Sequence, residues 1–309
     1  MSVSSAWQVK ARARVEDGLE RILPSAGRFP QPLHRAMRHG ALSGGKRLRP
    51  LLCLAAAQAV AGKWQERALR PAMALELIHA YSLIHDDLPA MDDDALRRGQ
   101  PTCHVVYGEA MAILAGDGLQ CLAFETLAGC RPAALAQALV RELSQAAGTP
   151  AGMVAGQAAD IWAEGRRMQP LQNLKSPLPQ LPAARPLLES IHRCKTGALL
   201  RAALVMGGLT AGAGPARLRD LRRIGADIGL AFQIQDDLLD RQASTGQLGK
   251  TAGKDQAQGK LTYPGVYGEP AAHQQAARLS RQALRRLDGW GKAALPLREL
   301  VESMAERRK

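Results

Sequence analysis

The sequence predicts an all-α protein, and three observations carry that prediction. Hydrophobic residues make up 46% of the 309 residues, whereas aromatic residues make up only 4%. This composition, rich in Ala and Leu, favours packed helices over sheets, which prefer β-branched and aromatic residues. Apolar residues recur at helical spacing, and the alternation typical of strands is nearly absent.

Eight blocks with this helical periodicity follow one another along the chain, with ends uncertain by about 2–4 residues. They span 5–23, 48–62, 66–88, 105–129, 132–147, 186–212, 216–240 and 273–287. The breaks between them carry Gly or Pro, as in SGGKRLRP (43–50) and AGAGP (211–215), because these residues interrupt helices. The proline-rich stretch 169–186 is predicted to be a surface insertion. No shift in composition divides the chain, so we expect a single domain over residues 1–309.

The net charge indicates an anionic partner. Lys and Arg number 41 against 28 Asp and Glu, which gives +13 and a pI near 10.0. Nucleic acid is not expected as that partner, because the basic residues are dispersed, no zinc-finger, homeodomain or RNA-recognition signature occurs, and aromatic stacking residues are scarce. Phosphorylated small molecules fit the charge equally well.

The cysteines and the N-terminus indicate a cytoplasmic protein. The five cysteines form no CxxC pair and lie mostly in apolar helical contexts, which is typical of reduced, buried thiols. The first residues, MSVSSAWQVKARARVEDGLERIL, carry charges throughout and resemble no secretory signal. No later run is expected to be long and apolar enough to cross a bilayer.

The stretch SLIHDDLPAMDDDALRRG (82–99) concentrates five carboxylates: Asp86, Asp87, Asp92, Asp93 and Asp94. A like-charged pair ~4 Å apart costs about 4 kcal/mol at an effective dielectric of 20, so the group needs cations or full solvation. Pro89 should end the preceding helix and leave Asp86 and Asp87 on its last turn, with Asp92 on the loop beyond. Oxygen ligands with phosphate co-ligands select Mg²⁺. A solvated acidic loop is the alternative, and it is the expected role of Asp93 and Asp94.

A second carboxylate motif lies in FQIQDDLLD (232–240). Asp236 and Asp240 are one helical turn apart and share a face, whereas Asp237 points about 100° away. The surrounding helix is strongly apolar, and a buried carboxylate without a partner is costly. Two such motifs facing each other across a helical bundle would hold a polymetal site that grips a diphosphate.

Basic residues complete the candidate site. They are Lys46, Arg49, Arg97, Arg98, Lys195, Lys250, Lys254 and Lys260. Arg binds phosphate through a bidentate fork and Lys as a point charge, and the number of these residues suffices for two diphosphates. A charged helix start is the alternative for Lys46 and Arg49. His79, two turns before Asp86 and on the same face, could be a core histidine, and Gln233 a satisfied buried amide.

The motifs resemble those of the trans-isoprenyl diphosphate synthases, most closely the bacterial farnesyl diphosphate synthases. The resemblance spans about residues 34–264. It is carried by GGKRLRP (44–50), LIHAYSLIHDDLPAMDDDALRRGQPTCH (77–104), Asp117 in AGDGL, HRCKTGAL (192–199), FQIQDDLLD (232–240) and GKLTYP (259–264).

The resemblance implies an all-α bundle of the isoprenoid-synthase type around a deep cavity, working as a homodimer. It implies that Asp86 and Asp92 bind two of three Mg²⁺ ions and Asp236 the third, with Asp87 and Asp240 as further possible ligands. The residues implied for the allylic diphosphate are Arg97, Lys195, Gln233 and Lys250, and those for isopentenyl diphosphate are Lys46, Arg49, His79 and Arg98. The Lys195 carbonyl, Thr196 and Gln233 would face the carbocation with oxygen dipoles.

The expected product is farnesyl diphosphate. Tyr81 lies five residues before Asp86, so its ring sits ~7.5 Å deeper along the helix axis, where it would floor the cavity. In the family this tyrosine, followed by the small Ser82, suggests a C15 product. Geranyl (C10) and geranylgeranyl (C20) diphosphate remain alternatives.

Three other functions compete with this interpretation. A class I terpene cyclase normally has an Asn/Ser/Glu set where this chain has DDLLD. A non-catalytic subunit of a prenyl synthase usually loses one aspartate motif, and both are intact here. A nucleic-acid-binding protein would show salt-dependent binding to nucleic acid that diphosphate substrates fail to compete.

The basic C-terminal residues, Arg307 to Lys309, have two possible roles: they either close over the site or form a frayed terminus.

Overall fold

The structure, a computed structural model, describes residues 3–164, 183–242 and 260–306. The helices are α1 (Val3–Ile22), α2 (Gln31–Leu42), α3 (Leu48–Ala61), α4 (Leu69–Asp86), α5 (Cys103–Tyr107), α6 (Glu109–Ala128), α7 (Ala133–Ala147), α8 (Met153–Glu164), α9 (Ala184–Ile191), a π-helix (His192–Gly197), α10 (Ala198–Thr210), α11 (Pro215–Gln242), α12 (Tyr263–Tyr267), α13 (Glu269–Arg286) and α14 (Leu295–Ala305). Short 3₁₀ turns cover Glu66–Ala68 and Lys292–Ala294. Within the described ranges, the only strands are the two-residue β1 (Leu96–Arg97) and β2 (Gln100–Pro101), which pair antiparallel. The prediction of an all-α fold is confirmed.

Most periodic blocks correspond to helices, with differences at their ends. α4 ends at Asp86 and its cap is Asp87, as Pro89 predicted. The block 105–129 is two helices, because Gly108 between α5 and α6 has a left-handed φ of 84°. Four helices, α2, α8, α12 and α14, were not predicted; they are short, 5 to 12 residues, so their periodicity is weak.

Contacts within the fold divide the chain into two compact units. Unit 1 comprises Met1–Leu143, Ala203–Leu221 and Gly289–Glu299. Unit 2 comprises Ser144–Ala202, Arg222–Asp288 and Leu300–Lys309. The single domain over residues 1–309 stays a prediction.

Helix α4 forms the centre of unit 1. Its residues Leu75, Leu77 and Ile78 are fully buried, and the helix packs against α2, α3 and α6. A helix that is apolar on nearly all sides belongs in a core. Gly116 allows α6 to approach α4 closely, because a Cβ there would lie 2.1 Å from the His85 Nε2 atom.

Unit 2 is built on a second apolar cluster. Its members come from α9, α11, α12 and α13, and they include Leu188, Leu230, Ile234, Leu238, Tyr263, Ala272 and Leu279. The π-helix packs against α8 through Gly156, where a Cβ would meet the Lys195 backbone nitrogen at 2.1 Å. On its other side Gly197 lies against Gly229 of α11. Because glycine has no side chain, the glycines at these positions let the π-helix pack closely against α8 and α11.

Helix α6 corrects one expectation about membranes. Within the described residues it is the one helix that by length and composition is apolar enough to cross a bilayer, whereas no such run was expected. A core helix of a bundle passes the same test, and the buried face of α6 packs against α4.

Candidate active site

The first carboxylate loop folds back on the end of α4. The Asp92 backbone N–H donates to the Asp86 carbonyl at 2.8 Å, and that of Asp94 donates to the Asp87 carbonyl at 3.1 Å. Asp86 and Asp92 are half-buried, whereas Asp93 is exposed and has a left-handed φ of 54°. The turn after α4 therefore brings the backbones of Asp86 and Asp92 together and directs Asp93 to solvent.

Asp87 is engaged by an arginine. It is buried, and its carboxylate accepts two hydrogen bonds from the Arg97 Nε, at 2.7 and 2.9 Å, while the Arg97 terminal nitrogen lies 2.5 Å away. Arg97 also pairs with Asp94 at 3.5 Å. Burial raises the pKa of Asp87, and Arg97 opposes that rise. Asp87, a candidate metal ligand, and Arg97, a candidate diphosphate ligand, thus hold each other in this structure.

The glycine pair before Lys46 accommodates Arg98. The Arg98 guanidinium donates to the Gly44 carbonyl, and a Cβ on Gly45 would lie 2.4 Å from it. Gly44 and Gly45 have φ values of 79° and 123°, which favour glycine. This turn places the Arg98 guanidinium against the two glycines that directly precede exposed Lys46.

His79 lies within a group of positive charges. Burial lowers the pKa of His79 well below 6.5, and the guanidinium groups of Arg49, Arg98, Arg97 and Arg47 lower it further. The ring is therefore neutral at pH 7 and presents one donor and one acceptor. His79 thus lies within electrostatic reach of Arg49 and Arg98, and the assignment of these residues to one anion site stays a prediction.

Sequence reasoning missed a buried ion pair at this place. Arg47, the residue after Lys46, donates to Glu76 of α4 at 2.7 Å, and the two side chains are only 2% and 3% exposed. An arginine in a run of basic residues and a glutamate inside an apolar helix are the only sequence signals. Neither signal names the partner.

The predicted residues of unit 2 lie on the π-helix and on α11. The Lys195 ammonium donates to the Asp160 carboxylate of α8 at 2.6 Å, and the Thr196 hydroxyl donates to the Gln233 amide oxygen at 2.7 Å. π-Helical turns are rare and frequent at functional sites. The three residues predicted to face a carbocation therefore lie on two neighbouring helices. Asp160 was missed, although its position in an apolar helix, AGQAADIWAE, was a signal.

The second aspartate of FQIQDDLLD is part of the scaffold of unit 2. Asp237 is buried, accepts a hydrogen bond from the Gln233 amide at 3.0 Å and another from the Tyr263 backbone N–H at 2.8 Å. The His192 Nε2 lies 3.3 Å from the same carboxylate. Asp236 and Asp240 are half-buried. This division agrees with the helical geometry that separated Asp237 from the other two.

Several predicted basic residues fall outside the described part of the chain. These are Lys250, Lys254 and the C-terminal Arg307, Arg308 and Lys309, as well as most of the proline-rich stretch 169–186. Lys260 is described, and its ammonium lies 3.6 Å from the Glu164 carboxylate at the end of α8.

Tyr81 lies in the core of unit 1 with its ring edge-on to His85, the ring centres 5.7 Å apart. Gln120 of α6 lies beside its hydroxyl, and burial raises the pKa of that hydroxyl. The Ser82 hydroxyl donates to the His79 carbonyl at 2.9 Å, so this small side chain turns back onto its own helix. The bulk at this level of α4 is therefore the Tyr81 ring.

The carboxylates suit Mg²⁺ by their chemistry. Among the described residues, no three His, Cys, Asp or Glu side chains converge into a preformed metal site. Mg²⁺ is usually bound by one or two carboxylates together with substrate phosphates and water, so the pair Asp86 and Asp92 suffices as a donor set.

Comparisons with known proteins agree with these features. The polyprenyl synthetase family matches residues 30–289. The chain is 46% identical to the farnesyl diphosphate synthase of Escherichia coli strain K12 over 286 residues, which cover 90% of each protein. It is 45% identical to a chloroplastic geranylgeranyl pyrophosphate synthase of Capsicum annuum over 283 residues, 90% of this chain and 72% of that protein.

A solved structure adds the metal. The geranyltransferase of Helicobacter pylori, complexed with magnesium and isoprenyl diphosphate, superposes with a TM-score of 0.79 and 31% identity, covering 98% of this chain and 97% of that one. The relatives divide between farnesyl and geranylgeranyl synthases at about equal identity, so they leave the product length open. On these matches, the chain belongs to the polyprenyl synthetase family, a family of Mg²⁺-dependent trans-prenyltransferases.

Proposed function

We propose that the protein is a farnesyl diphosphate synthase. It condenses isopentenyl diphosphate head to tail with dimethylallyl diphosphate and then with geranyl diphosphate, and it releases diphosphate at each step. The observation that carries this proposal is the group of positive charges around neutral His79, on the helix that ends in Asp86. An anion site and a carboxylate loop two turns apart on α4 suit two diphosphates, one of them bound through metal ions.

The proposed ligands of isopentenyl diphosphate are Lys46, Arg49, His79 and Arg98. Arg49 and Arg98 offer planar forks to phosphate oxygens, Lys46 offers a point charge, and neutral His79 donates one N–H. The C–O bond of this substrate is not broken in the reaction, so these residues only bind and orient it. Holding its double bond near the allylic carbon removes much of the entropic cost of a bimolecular reaction.

Asp86 and Asp92 are the proposed ligands of two Mg²⁺ ions, and Asp236 that of a third. Mg²⁺, when bound, supplies positive charge to a departing diphosphate. Asp87 is better suited to orienting Arg97 than to binding metal, because its carboxylate accepts a hydrogen bond from the Arg97 Nε at 2.7 Å. Asp240 is half-buried and stays a possible further ligand.

Basic side chains assist the departure of the allylic diphosphate. We assign this role to Lys195 and Arg97, together with Lys250, which lies outside the described residues. Lys195 is held by Asp160 at 2.6 Å, which fixes its ammonium in position. As the allylic C–O bond breaks, these charges stabilise the negative charge that grows on the leaving group.

Neutral oxygen dipoles face the resulting carbocation. The Thr196 hydroxyl donates its hydrogen to the Gln233 amide, so its own lone pairs remain available to the cation. The Lys195 carbonyl is the third dipole in this proposal. The double bond of isopentenyl diphosphate forms the new C–C bond, and the released diphosphate takes the proton that restores an alkene. An apolar surrounding protects the cation from water.

Tyr81 supports a C15 product. Its buried ring lies about 7.5 Å from Asp86 along α4 and would stop a chain growing beyond farnesyl length. The geranylgeranyl synthases among the relatives make a C20 product the second candidate.

We further propose a homodimer in a reducing, cytoplasmic compartment. α5 and α6 expose large apolar side chains, including Val105, Val106, Ile113 and Leu114, at about half of their surface. Large apolar side chains exposed on two consecutive helices suit a protein interface. The cysteines, including the buried Cys53 and Cys103, are all free thiols.

The test is a product assay. Purified protein is incubated with Mg²⁺, labelled isopentenyl diphosphate and either dimethylallyl or geranyl diphosphate, and the dephosphorylated products are separated by chromatography. We expect a C15 alcohol from the wild type, none from Asp86→Ala, and a longer product from Tyr81→Ala. Tyr81→Phe, which keeps the ring, is the matched control and should still make C15. A C20 product from the wild type would refute the length assignment, and no elongation at all would refute the synthase.

A further inference from the structure

We propose that Arg47 and Glu76 together are a positioning pair that sets the affinity for isopentenyl diphosphate. The inference rests on the proposed function, because it concerns the site assigned above to that substrate. Neither residue is expected to touch the substrate. Both act through the residues beside them in the chain.

The contact is a closed ion pair inside unit 1. The Arg47 terminal nitrogen donates to the Glu76 carboxylate at 2.7 Å, and a second carboxylate, Glu16 of α1, lies 3.7 Å from the Arg47 Nε. With side chains only 2% and 3% exposed, both charges have lost nearly all their water. A well-packed apolar pair of similar volume is often as stable as a buried ion pair, so stability alone is a weak explanation for it. A role in positioning the neighbouring residues explains the pair better.

The pair fixes an unusual turn of the backbone. Arg47 has φ 49° and ψ 37°, a left-handed conformation that a residue with a Cβ adopts only when its surroundings impose it. Its carbonyl accepts the Leu51 N–H at 3.0 Å and so begins α3. Because the Arg47 side chain points inward, the turn leaves Lys46 exposed before it and carries Arg49 into the first turn of α3.

The other half of the pair lies one helical turn before His79. Residues 76 and 79 are i and i+3 on α4, so the carboxylate that holds the turn is next to the imidazole of the same site. Burial lowers the pKa of Arg98, and the negative charge of Glu76 opposes that shift. One buried carboxylate therefore joins the turn after Gly45 to α4, and its charge also acts on Arg98.

The test separates positioning from stability. The double variant Arg47→Met/Glu76→Met removes both charges and keeps similar apolar volume, whereas Arg47→Met alone leaves a buried charge without its partner and is expected to fold poorly. Calorimetry gives the Kd of isopentenyl diphosphate, and steady-state kinetics give KM for each substrate. The exposed pair Arg14 and Glu66, changed in the same way, is the matched control.

We expect the folded double variant to bind isopentenyl diphosphate about tenfold more weakly, with the KM of the allylic diphosphate and kcat changed less than about twofold. Arg47→Lys, which keeps a charge of shorter reach, should recover part of the affinity. Unchanged isopentenyl diphosphate binding in the folded double variant would overturn the inference, and so would an equal rise in both KM values. Failure of the wild type to bind isopentenyl diphosphate would instead refute the proposed function and this inference with it.

Discussion

Replacing Asp237 by alanine should cost stability, in contrast to the same change at its neighbour Asp236. Asp237 is buried and accepts hydrogen bonds from the Gln233 amide at 3.0 Å and the Tyr263 backbone N–H at 2.8 Å. A hydrogen bond to a charged acceptor contributes about 1.5–3 kcal/mol, and a buried donor left unpaired costs about 1–3 kcal/mol. Losing both hydrogen-bond partners should therefore lower the free energy of unfolding by about 4 kcal/mol, which is less than the full sum because such contributions overlap.

The assay is calorimetric unfolding of the wild type, Asp237→Ala and Asp236→Ala. At about 2 °C per kcal/mol for a chain of this size, Asp237→Ala should lower Tm by about 8 °C. Asp236→Ala removes a half-buried carboxylate and should change stability by less than about 1 kcal/mol, while abolishing turnover. Asp237→Asn, which keeps one acceptor oxygen, should fall between. Equal Tm values for the two alanine variants would refute the reasoning that Asp237 belongs to the scaffold and Asp236 to the site.

Three further outcomes are expected. The pKa of His79 in the folded protein is well below 6.5, so the unfolded chain binds a proton at this residue more readily. The free energy of unfolding should therefore fall as pH drops below 6.5, by up to about 1.4 kcal/mol per pH unit. Melting curves at pH 7.5 and 5.5 should show a weaker pH dependence in His79→Gln than in the wild type, and the same pH dependence in both would contradict this. A Cβ at Gly229 would lie 2.7 Å from the Gly197 backbone, so Gly229→Ala should unfold about 1–3 kcal/mol more easily, whereas Gly214→Ala, with open space around it, should not; equal urea midpoints would refute this. Chelation with EDTA should stop product formation and added Mg²⁺ should restore it, and activity that persists in EDTA would exclude the metal role.

The carboxylate loop could be predicted from the sequence because its determinants are local. Pro89 ends α4, and helical spacing separates Asp237 from Asp236 and Asp240, as burial in the structure confirms. Both follow from backbone sterics and a period of 3.6 residues. The roles of these residues in binding remain predictions.

The ion pairs could not be predicted, because their partners are distant in the chain. Arg47 and Glu76 are 29 residues apart, and Asp160 and Lys195 are 35 apart. Periodicity shows that a charged residue falls on a buried face, but only tertiary packing determines which oppositely charged residue pairs with it. The same holds for Asp87, which lies in a motif that suggests metal binding and forms an ion pair with Arg97 in the structure.

The π-helix at His192–Gly197 also constrains how the sequence can change in length. A π-turn, with hydrogen bonds from residue i to i+5, holds about one residue more than an α-turn, so deleting one residue from it would restore an α-turn and largely keep the phase of the helix. An α-helix advances 100° per residue, so deleting one residue from α9 or α10 would instead rotate everything beyond it by about that angle. Either α9 or α10 would then present its apolar residues to the wrong side. Point substitutions on its exposed side, such as at Arg193, leave the phase intact. The π-turn should therefore tolerate the loss of one residue better than the α-helices on either side of it.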